Sequence, residues 1–387
     1  MTQSGHRRAN FAVTHNAAPS SEYARVQNPL PGEAHEAAAI HQAIRQRCSC
    51  SIARATGQRP RTIPIAVAIM TPALRIVSFL PSATEMACAL GLAEQLVGVT
   101  HECDYPPEIK EKPIVVRSVL SVENMSEQEI DRAVRVRLRS EQSLYRVDEQ
   151  LLRRLSPDLI LTQDLCQVCA PSGNEVSQVL NALPCKPQIL WLTPKSLDEI
   201  FDNIRQLGAA TDRSGQAETL IEGGRAQLDR IATITYSLPY RPRVFCMEWL
   251  DPVYCCGHWV PEMVRIAGGR DELGRERADS VRIAWADVLR WGPEILVLMP
   301  CGFDLEKTIA HAQRLWAYPG WKDIPAVRLG RVYAVNANAY FARPGPRVVD
   351  GTGLLAHLIH PDIFEWTGLA RAFERLEYPQ TSETVGL

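Results

Sequence analysis

The residues best suited to chemistry are cysteines, and two of them form a Cys-x-x-Cys motif. Cys166 and Cys169 follow a predicted strand at 158–162. Pro171 and Gly173 come next and mark the segment as a loop. A structural zinc site needs further ligands, and the sequence holds no second Cys-x-x-Cys; a thioredoxin-type motif would open a helix. Two loop thiols without chemistry are therefore as good an interpretation as a metal or redox site.

Further thiols and a histidine lie near predicted strand ends in the second half of the chain. Cys255, Cys256 and His258 stand in one short loop, and Cys301 follows a strongly apolar strand. If two lobes face each other, these residues can converge with the Cys-x-x-Cys pair and hold a metal or a thiol-reactive ligand. His258 also precedes a helix, where a backbone hydrogen bond explains it, and this plainer interpretation is favoured.

An aromatic and basic loop precedes the last predicted helix. Tyr340, Phe341 and Arg343 stand beside Pro344 and Pro346. Prolines restrict the backbone, aromatic rings offer large flat contact surfaces, and a guanidinium binds anions in a fixed geometry. The loop therefore suits a large, partly anionic ligand.

Two more candidates, Glu248 and Trp249, end a predicted strand, and this tryptophan fits either a core or the wall of a cleft. The motifs of common enzymes are absent: the sequence has no Gly-x-Gly-x-x-Gly, Walker loop, Gly-x-Ser-x-Gly or His-Glu-x-x-His. We therefore predict a binding protein rather than an enzyme.

A strand that runs directly into a helix, at 75–86, must position part of this site. Its first residues are apolar and β-branched, as in a strand covered on both faces. Pro81 ends the strand, Ser82 and Glu85 have the spacing of a capping box, and Gly91 ends the helix. The helix N-terminus then lies at the carboxyl edge of a sheet, where α/β proteins bind ligands, although a plain core unit has the same pattern.

Strands and helices alternate from residue 74 onward, which predicts parallel sheets covered by helices. Predicted strands lie at 96–100, 114–116, 158–162, 188–192, 243–248, 294–299 and 332–335. Predicted helices lie at 126–155, 174–183, 197–207, 260–267, 286–291, 305–315 and 348–359. A further helix at 212–236 has no strand partner nearby and spans about 36 Å at 1.5 Å per residue. We therefore predict an α/β fold of two lobes, 74–211 and 237–375, each a mostly parallel sheet flanked by helices, joined by this long helix with a cleft between them.

Composition and charge are those of a globular protein with room for two cores. The chain has 387 residues, 46% of them hydrophobic and 22% charged, and its net charge is −2. This balance gives no reason to expect nucleic acid or an anionic membrane surface as partner. No apolar run reaches the roughly 18 residues of a membrane-spanning helix.

The N-terminal extension, 1–73, differs from the rest in composition. It holds eight Arg, no Lys and three acids, which predicts disorder and also resembles an organelle transit peptide. Met70 is an alternative start to Met1. The apolar run at 63–69 is too short and too far from the start for a convincing export signal, and the polar tail at 376–387 is predicted to fray.

The chain has eleven cysteines, an odd and scattered set with several members in apolar strands. Such a set is typical of reduced thiols rather than of a disulfide framework. Together with the lack of a convincing export signal, it predicts a cytoplasmic location.

Several short motifs, taken in order, resemble one known family. They are 75–91, Asp104-Tyr105-Pro106-Pro107, 156–160, Arg243-Val244-Phe245, Ala267-Gly268-Gly269, 285–289 and Phe341-Ala342-Arg343-Pro344-Gly345-Pro346-Arg347. In this order and spacing they resemble the vitamin B12 and iron-siderophore binding proteins of ABC importers, and the cobalamin-binding members most. The resemblance covers about residues 74–360. It implies two α/β lobes, one connecting helix, a ligand in the cleft, and a periplasmic location as the alternative to a cytoplasmic one.

The resemblance also assigns residues. The family positions at the cleft hold Pro81, Ser82 and Arg343. The positions at which B12-binding members carry aromatic side chains hold Glu102, Gln163 and Glu248, with Trp249, Trp259 and Tyr340 nearby.

Surface acids dock such binding proteins onto a permease. The corresponding positions hold Gln150 and Ala286, which stand beside Glu149 and Asp287. The resemblance therefore implies an ABC permease as a partner, and we expect a monomer.

Two hypotheses follow. In the first, the protein binds cobalamin or a related metal chelate in the cleft without catalysis, through backbone N–H groups after Pro81, aromatic walls and Arg343. Its predicted ligand-binding residues are Pro81, Ser82, Glu102, Gln163, Cys166, Cys169, Glu248, Trp249, His258, Trp259, Cys301, Tyr340, Phe341 and Arg343. In the second, a cytoplasmic metal- or thiol-redox protein uses the same fold, with Cys166, Cys169, His258 and Cys301 as metal ligands or reactive thiols.

Overall fold

The computed structural model describes residues 73–122, 125–140, 142–163, 183 and 186–377. The strands are β1 (Ile76–Ser78), β2 (Leu96–Thr100), β3 (Ile114–Ser118), β4 (Tyr145–Val147), β5 (Leu159–Thr162), β6 (Gln188–Trp191), β7 (Val244–Trp249), β8 (Tyr254–Cys255), β9 (Gly257–His258), β10 (Arg275–Glu276), β11 (Ile295–Leu298), β12 (Val332–Val335) and β13 (Phe373–Arg375). The helices are α1 (Pro81–Ala89), α2 (Glu127–Arg139), α3 (Glu149–Leu155), α4 (Leu197–Ala210), α5 (Ser214–Tyr236), α6 (Val260–Ile266), α7 (Trp285–Trp291), α8 (Leu305–Ala312), α9 (Pro325–Arg328), α10 (Ala337–Tyr340) and α11 (Val348–Ile359). The N-terminal extension, the helix predicted at 174–183 except its last residue, and both cysteines of the Cys-x-x-Cys motif lie outside the described residues.

The N-terminal lobe is built on a sheet with the strand order β4-β3-β2-β1-β5-β6. All its neighbouring strands are parallel except β4, an antiparallel edge strand. Ile76 packs into the core on one face of the sheet and Val77 into the core on the other. Because both faces are covered, all three residues of β1 are buried and the strand shows no alternation of buried and exposed positions.

The C-terminal lobe has a second sheet, with the order β13-β12-β11-β7-β8. Its central strands β7, β11 and β12 are parallel, and β8 and β13 are antiparallel edges. A small ribbon of β9 and β10 lies beside it. The predicted α/β fold of two lobes with mostly parallel sheets is confirmed.

Helix α5 connects the two lobes, as predicted, and has 23 residues. Its buried residues recur at helical spacing, from Ala217 through Ile221 to Leu228 and Ile231. They belong to one apolar core that continues through both lobes. This shared core ties the lobes together along α5, so only a modest hinge motion between them is expected.

One long predicted helix, at 126–155, is wrong: the chain forms α2, β4 and α3 there. The Oγ of Ser143 accepts a hydrogen bond from the N–H of Tyr145, which forms a turn before β4. Asp148 then starts a new helix by accepting from the N–H of Leu151. Short polar side chains that bond nearby backbone compete with a helix, and here they outweigh its apolar period.

Most other predicted elements agree with the structure. The strands at 96–100 and 332–335 and the helix at 348–359 match to the residue. The short strands β8, β9, β10 and β13 were not predicted, because two or three residues carry no detectable period. None of the helices in the described part of the chain is long and apolar enough to span a bilayer.

Two neighbouring glycines of α5 give a test of this packing. A Cβ on Gly224 would lie 2.9 Å from the Phe201 ring of the N-terminal lobe and 3.3 Å from Val349 of the C-terminal lobe, whereas a Cβ on Gly223 meets nothing within 4 Å. We expect Gly223→Ala to raise the free energy of unfolding by about 0.5–1 kcal/mol through helix propensity. Gly224→Val should lower it by about 1–3 kcal/mol through overpacking. Urea unfolding followed by circular dichroism measures both, and equal effects of the two substitutions would contradict the packing.

Candidate functional site

The predicted site residues follow the carboxyl ends of parallel strands in both sheets. Ser82 comes after β1, Glu102 after β2 and Gln163 directly after β5. In the other lobe Trp249 ends β7 and Cys301 follows β11. Such edges are where α/β proteins bind ligands. The topology therefore brings these five residues to two sheet edges, one in each lobe.

The loop around Arg343 makes the two edges face each other. Arg343, from the C-terminal lobe, donates from Nη2 to the carbonyl oxygen of Glu102 at 2.9 Å. Its Nη1 lies 3.2 Å from Oε1 of Glu85 and also donates to Asp104. The side chain is only 10% exposed. Arg343 thus bridges the lobes and binds three partners on the N-terminal side.

Arg347 strengthens the same bridge. Its Nε donates to Oε2 of Glu85 at 2.8 Å, and its Nη2 donates to the other carboxylate oxygen. The guanidinium also stacks 4.1 Å above the ring centroid of Tyr105. Burial lowers the pKa of Arg343, but hydrogen bonds and charge from Asp104 and Glu85 more than offset this and leave that pKa raised. Both cations are therefore neutralised by acids of the facing lobe.

The predicted capping box of Ser82 and Glu85 is wrong. Leu80 occupies the N-cap of α1 and no side chain caps this helix. Glu85 is 4% exposed and its carboxylate is bound to the two arginines. A buried carboxylate needs charged partners, and Pro81 at the start of the helix has already removed one N–H that would need a cap.

Carboxyl groups stand on both edges. Glu102 reaches solvent, yet desolvation by the protein around it raises its pKa against the charges of His101 and Arg343. Glu248 accepts a 2.6 Å hydrogen bond from Ser280 Oγ, and burial raises its pKa as well. Gln163 is 4% exposed. Both edges thus offer hydrogen-bond acceptors and acidic groups rather than a free arginine.

The predicted aromatic residues divide into two groups. The ring of Trp249 is half-buried, lies edge to face with Phe303 at 5.5 Å, and its Nε1 is buried without a hydrogen-bond partner. Trp259, Tyr340 and Phe341 are at most 5% exposed, and Trp259 Nε1 donates to the carbonyl oxygen of Phe341 at 2.9 Å. These three support the backbone of the Arg343 loop, and their contact with a ligand stays a prediction.

His258 does not rely on a backbone hydrogen bond for its ring. Its Nε2 lies 3.2 Å from Oδ1 of Asp279, and the ring stacks on Trp259. Burial lowers the pKa of His258, with the Asp279 charge opposing, so the ring is favoured in its neutral form. Its role as a metal ligand stays a prediction, because Cys166 and Cys169, two of the three predicted co-ligands, lie outside the described residues.

The cysteines of the described segments are free thiols at Cys88, Cys103, Cys246, Cys255, Cys256 and Cys301. Burial raises the pKa of Cys255 to about 11, whereas Cys301 is half-buried. No group of three or more His, Cys, Asp or Glu side chains within these segments could hold a metal ion. Cys166 and Cys169, which the redox hypothesis needs, lie outside the described residues.

Sequence reasoning missed the acids and the second arginine of the bridge. Glu85 was assigned to a cap, and Asp104 and Arg347 were part of family-like motifs without a role. The signal that was present is a pair of arginines four residues apart, Arg343 and Arg347, in a segment whose nearest acid is Asp350. Such arginines need distant acidic partners if they are buried.

Two α/β lobes on one connecting helix, with the carboxyl edges of their sheets face to face, define a substrate-binding protein of the cleft type. Residues 76–339 match the family described as periplasmic binding protein. The chain belongs to this family.

The relatives agree with that assignment. An uncharacterized ABC transporter substrate-binding lipoprotein of Bacillus subtilis is 27% identical over 299 residues, which cover 75% of this chain and 81% of the relative. The vitamin B12-binding protein of Vibrio cholerae is 26% identical over 283 residues, 72% of this chain and 86% of the relative.

Solved structures show the same fold. The periplasmic vitamin B12 binding protein of Vibrio cholerae superposes with a TM-score of 0.54 at 24% identity, over 76% of this chain and 99% of that one. The periplasmic heme-binding protein of Roseiflexus sp. RS-1 superposes with a TM-score of 0.57 at 21% identity, over 75% and 98%. These comparisons support the binding-protein hypothesis and not the redox alternative.

The predicted cytoplasmic location is wrong. The chain belongs to a family of periplasmic binding proteins, and its relatives include a lipoprotein, so the location indicated is outside the cytoplasm. The prediction rested in part on the cysteines, but thiols can stay reduced outside the cytoplasm where burial protects them from oxidation. Cys246, Cys255 and Cys256 are fully buried, and burial raises the pKa of each.

The bridge between the lobes predicts a large stability effect at one acid and a small one at another. Glu85→Ala leaves two buried guanidinium groups without their shared carboxylate, so we expect the free energy of unfolding to fall by about 3–5 kcal/mol. Asp104→Asn is the matched control: its side chain is 46% exposed, and its loss should cost less than about 1 kcal/mol. Urea unfolding measures both, and equal losses would show that Glu85 is not the centre of the bridge.

Proposed function

We propose that this protein captures cobalamin or a closely related corrinoid between its two lobes and delivers it to an ABC permease. Its relatives include proteins named for vitamin B12 binding and, among solved structures of the fold, proteins named for heme binding. The choice between these two ligand classes rests on charge at the sheet edges.

The observation that carries the choice is the neutralisation of Arg343. Glu85 and Asp104 bind this cation, which leaves it no free charge for an anionic ligand. Glu102 and Glu248 add a carboxyl group to each edge, and their charged forms would repel further negative charge nearby. Heme carries two propionates, whereas a corrin ring carries neutral carboxamides that pair with carboxylate and amide oxygens. The site therefore favours a corrinoid over heme.

The rest of the cleft supports a flat, partly apolar ligand. Trp249 offers a half-buried ring at the end of β7. Gln163 supplies an amide at the end of β5 in the facing lobe. A large macrocycle with amides around its edge could pack on the indole ring of Trp249 and hydrogen-bond to Gln163.

The permease would meet the two lobes at their outer helices. Gln150 and Ala286 lie in the first turns of α3 and α7 and are exposed. Glu149 and Asp287 stand beside them, one acid for each lobe, and Asp287 already pairs with Arg290 at 2.7 Å. We assign docking to these two acids, as one charged contact per lobe.

Calorimetric titration of the purified protein tests the ligand. We expect cyanocobalamin to give saturable heat with one site per protein, and hemin to bind at least about tenfold more weakly. No heat at about 100 µM cyanocobalamin, or tighter binding of hemin, would contradict the proposal.

Removing the two edge carboxylates tests the charge argument separately. In the double variant Glu102→Gln/Glu248→Gln, we expect hemin affinity to rise about tenfold because two repulsions on its propionates are gone. Cyanocobalamin affinity should stay within about threefold, since the amides keep the hydrogen-bond acceptors. The matched control is Glu222→Gln/Glu374→Gln, which removes two exposed charges elsewhere. Equal hemin gains in both double variants would refute the argument.

A further inference from the structure

Helix α2 belongs to the N-terminal lobe by its place between β3 and β4, yet its first turn is bound to the C-terminal lobe. Oε1 of Glu127 lies 3.1 Å from Nδ1 of His311. Gln128 donates from Nε2 to Oδ2 of Asp251 at 2.7 Å. These contacts join residues far apart in the chain.

A third contact lies one turn further along α2. The hydroxyl of Tyr254 donates to Oδ1 of Asp131 at 3.2 Å. Three successive polar contacts therefore connect α2 to the loop after β7, to β8 and to α8. This group of contacts is separate from the bridge at Glu85.

The attachment points lie at the same sheet edge as the candidate site. Asp251 comes two residues after Trp249, which ends β7, and α8 begins shortly after β11. The rings connect the two regions: His311 packs edge to face on Phe303 at 4.8 Å, and Phe303 packs on Trp249 at 5.5 Å. Helix α2 therefore crosses from the N-terminal lobe to the very edge of the C-terminal sheet that carries the site.

Among the described residues, α2 buries few side chains, and Arg137 holds its far end to the carbonyl oxygen of Ser143. Glu127 and Ile130 are the buried residues of its 13, and Val136 on its outer side is 58% exposed. Segments with few buried apolar contacts open at low free energy while the rest of a protein stays folded. The helix itself is well formed, since Ser126 and Glu129 make a complete capping box.

The contact between Glu127 and His311 also carries an unfavourable cost of burial. The side chain of Glu127 is fully buried, and its Oε2 has no hydrogen-bond partner among the described residues. Burial raises the pKa of Glu127 to about 7. The charge of Asp251 adds to the effect, whereas the charges of Arg314 and Lys307 and the backbone N–H of Asp251 oppose it. Burial also lowers the pKa of His311. Both charged forms are therefore more stable in water, which favours release of the contact.

We propose that α2 is a strap across the cleft, which must detach from the C-terminal lobe before a ligand can enter or leave. The proposal depends on the polar contacts between the lobes and holds for any ligand of the cleft. It makes access to the site a local opening of one helix instead of a wide separation of the lobes, which the core along α5 opposes.

Hydrogen exchange with peptide-level mass spectrometry tests the detachment on the ligand-free protein. The variant Gln128→Ala/Tyr254→Phe removes two hydrogen bonds between the lobes and no buried charge. We expect amides of 130–139 to exchange at least about fivefold faster than in the unmodified protein, with β5 and β11 unchanged. The control Arg135→Ala removes two contacts of Arg135 within α2, a 2.6 Å ion pair with Asp131 and a hydrogen bond to the carbonyl oxygen of Asp131, and should change exchange less than about twofold.

Access to the cleft is read independently at Cys301, a half-buried thiol of the same sheet edge. In the double variant we expect its alkylation by iodoacetamide to quicken by the same factor as α2 exchange. Unchanged α2 exchange would overturn the strap, as would faster exchange of both lobes together. Faster α2 exchange with unchanged alkylation of Cys301 would show that α2 does not cover the cleft. Neither readout requires cobalamin, so failure of the proposed ligand and failure of the strap are distinguishable.

Discussion

A single buried carboxylate fixes the relation between the lobes. Glu85 lies on the first helix of the N-terminal lobe and is 4% exposed. It forms ion pairs with Arg343 and Arg347 of the C-terminal lobe. Removing one partner from such a buried group leaves an uncompensated charge, so the three side chains hold only as a set. The loop that carries the arginines is in turn held by Trp259, which donates to the carbonyl oxygen of Phe341. Arg343, Trp259 and Phe341 thus hold the lobes and the loop in place, and their contact with a ligand stays a prediction.

The ion pairs of Arg343 bear on which ligand the site would bind. Had Arg343 pointed freely into the cleft, the site would suit a ligand with carboxylates or phosphates. With that charge neutralised, Glu102, Glu248, Gln163 and Trp249 determine the character of the two edges. The fold alone does not identify the ligand.

Elements with a strong local period were predictable from the sequence. The buried run of β12 and the stripe of α5 are examples, since burial on one stripe or on both faces leaves a pattern in neighbouring residues. The contacts that shape the site were not predictable in this way. Glu85 and Arg343 are 258 residues apart, and Glu127 and His311 are 184 apart. No local pattern records such pairs, so Glu85 was assigned to a cap and α2 to one long helix.

The ligand we propose, a corrinoid, would lie between the carboxyl edges of the two sheets. A crystal structure of the protein grown with cyanocobalamin tests this placement most directly. We expect the corrin ring between the edge of Glu102 and Gln163 and the edge of Glu248 and Trp249, with Arg343 still bound to Glu85. A corrin ring bound elsewhere, or Arg343 released from Glu85 to contact the ligand, would contradict the account.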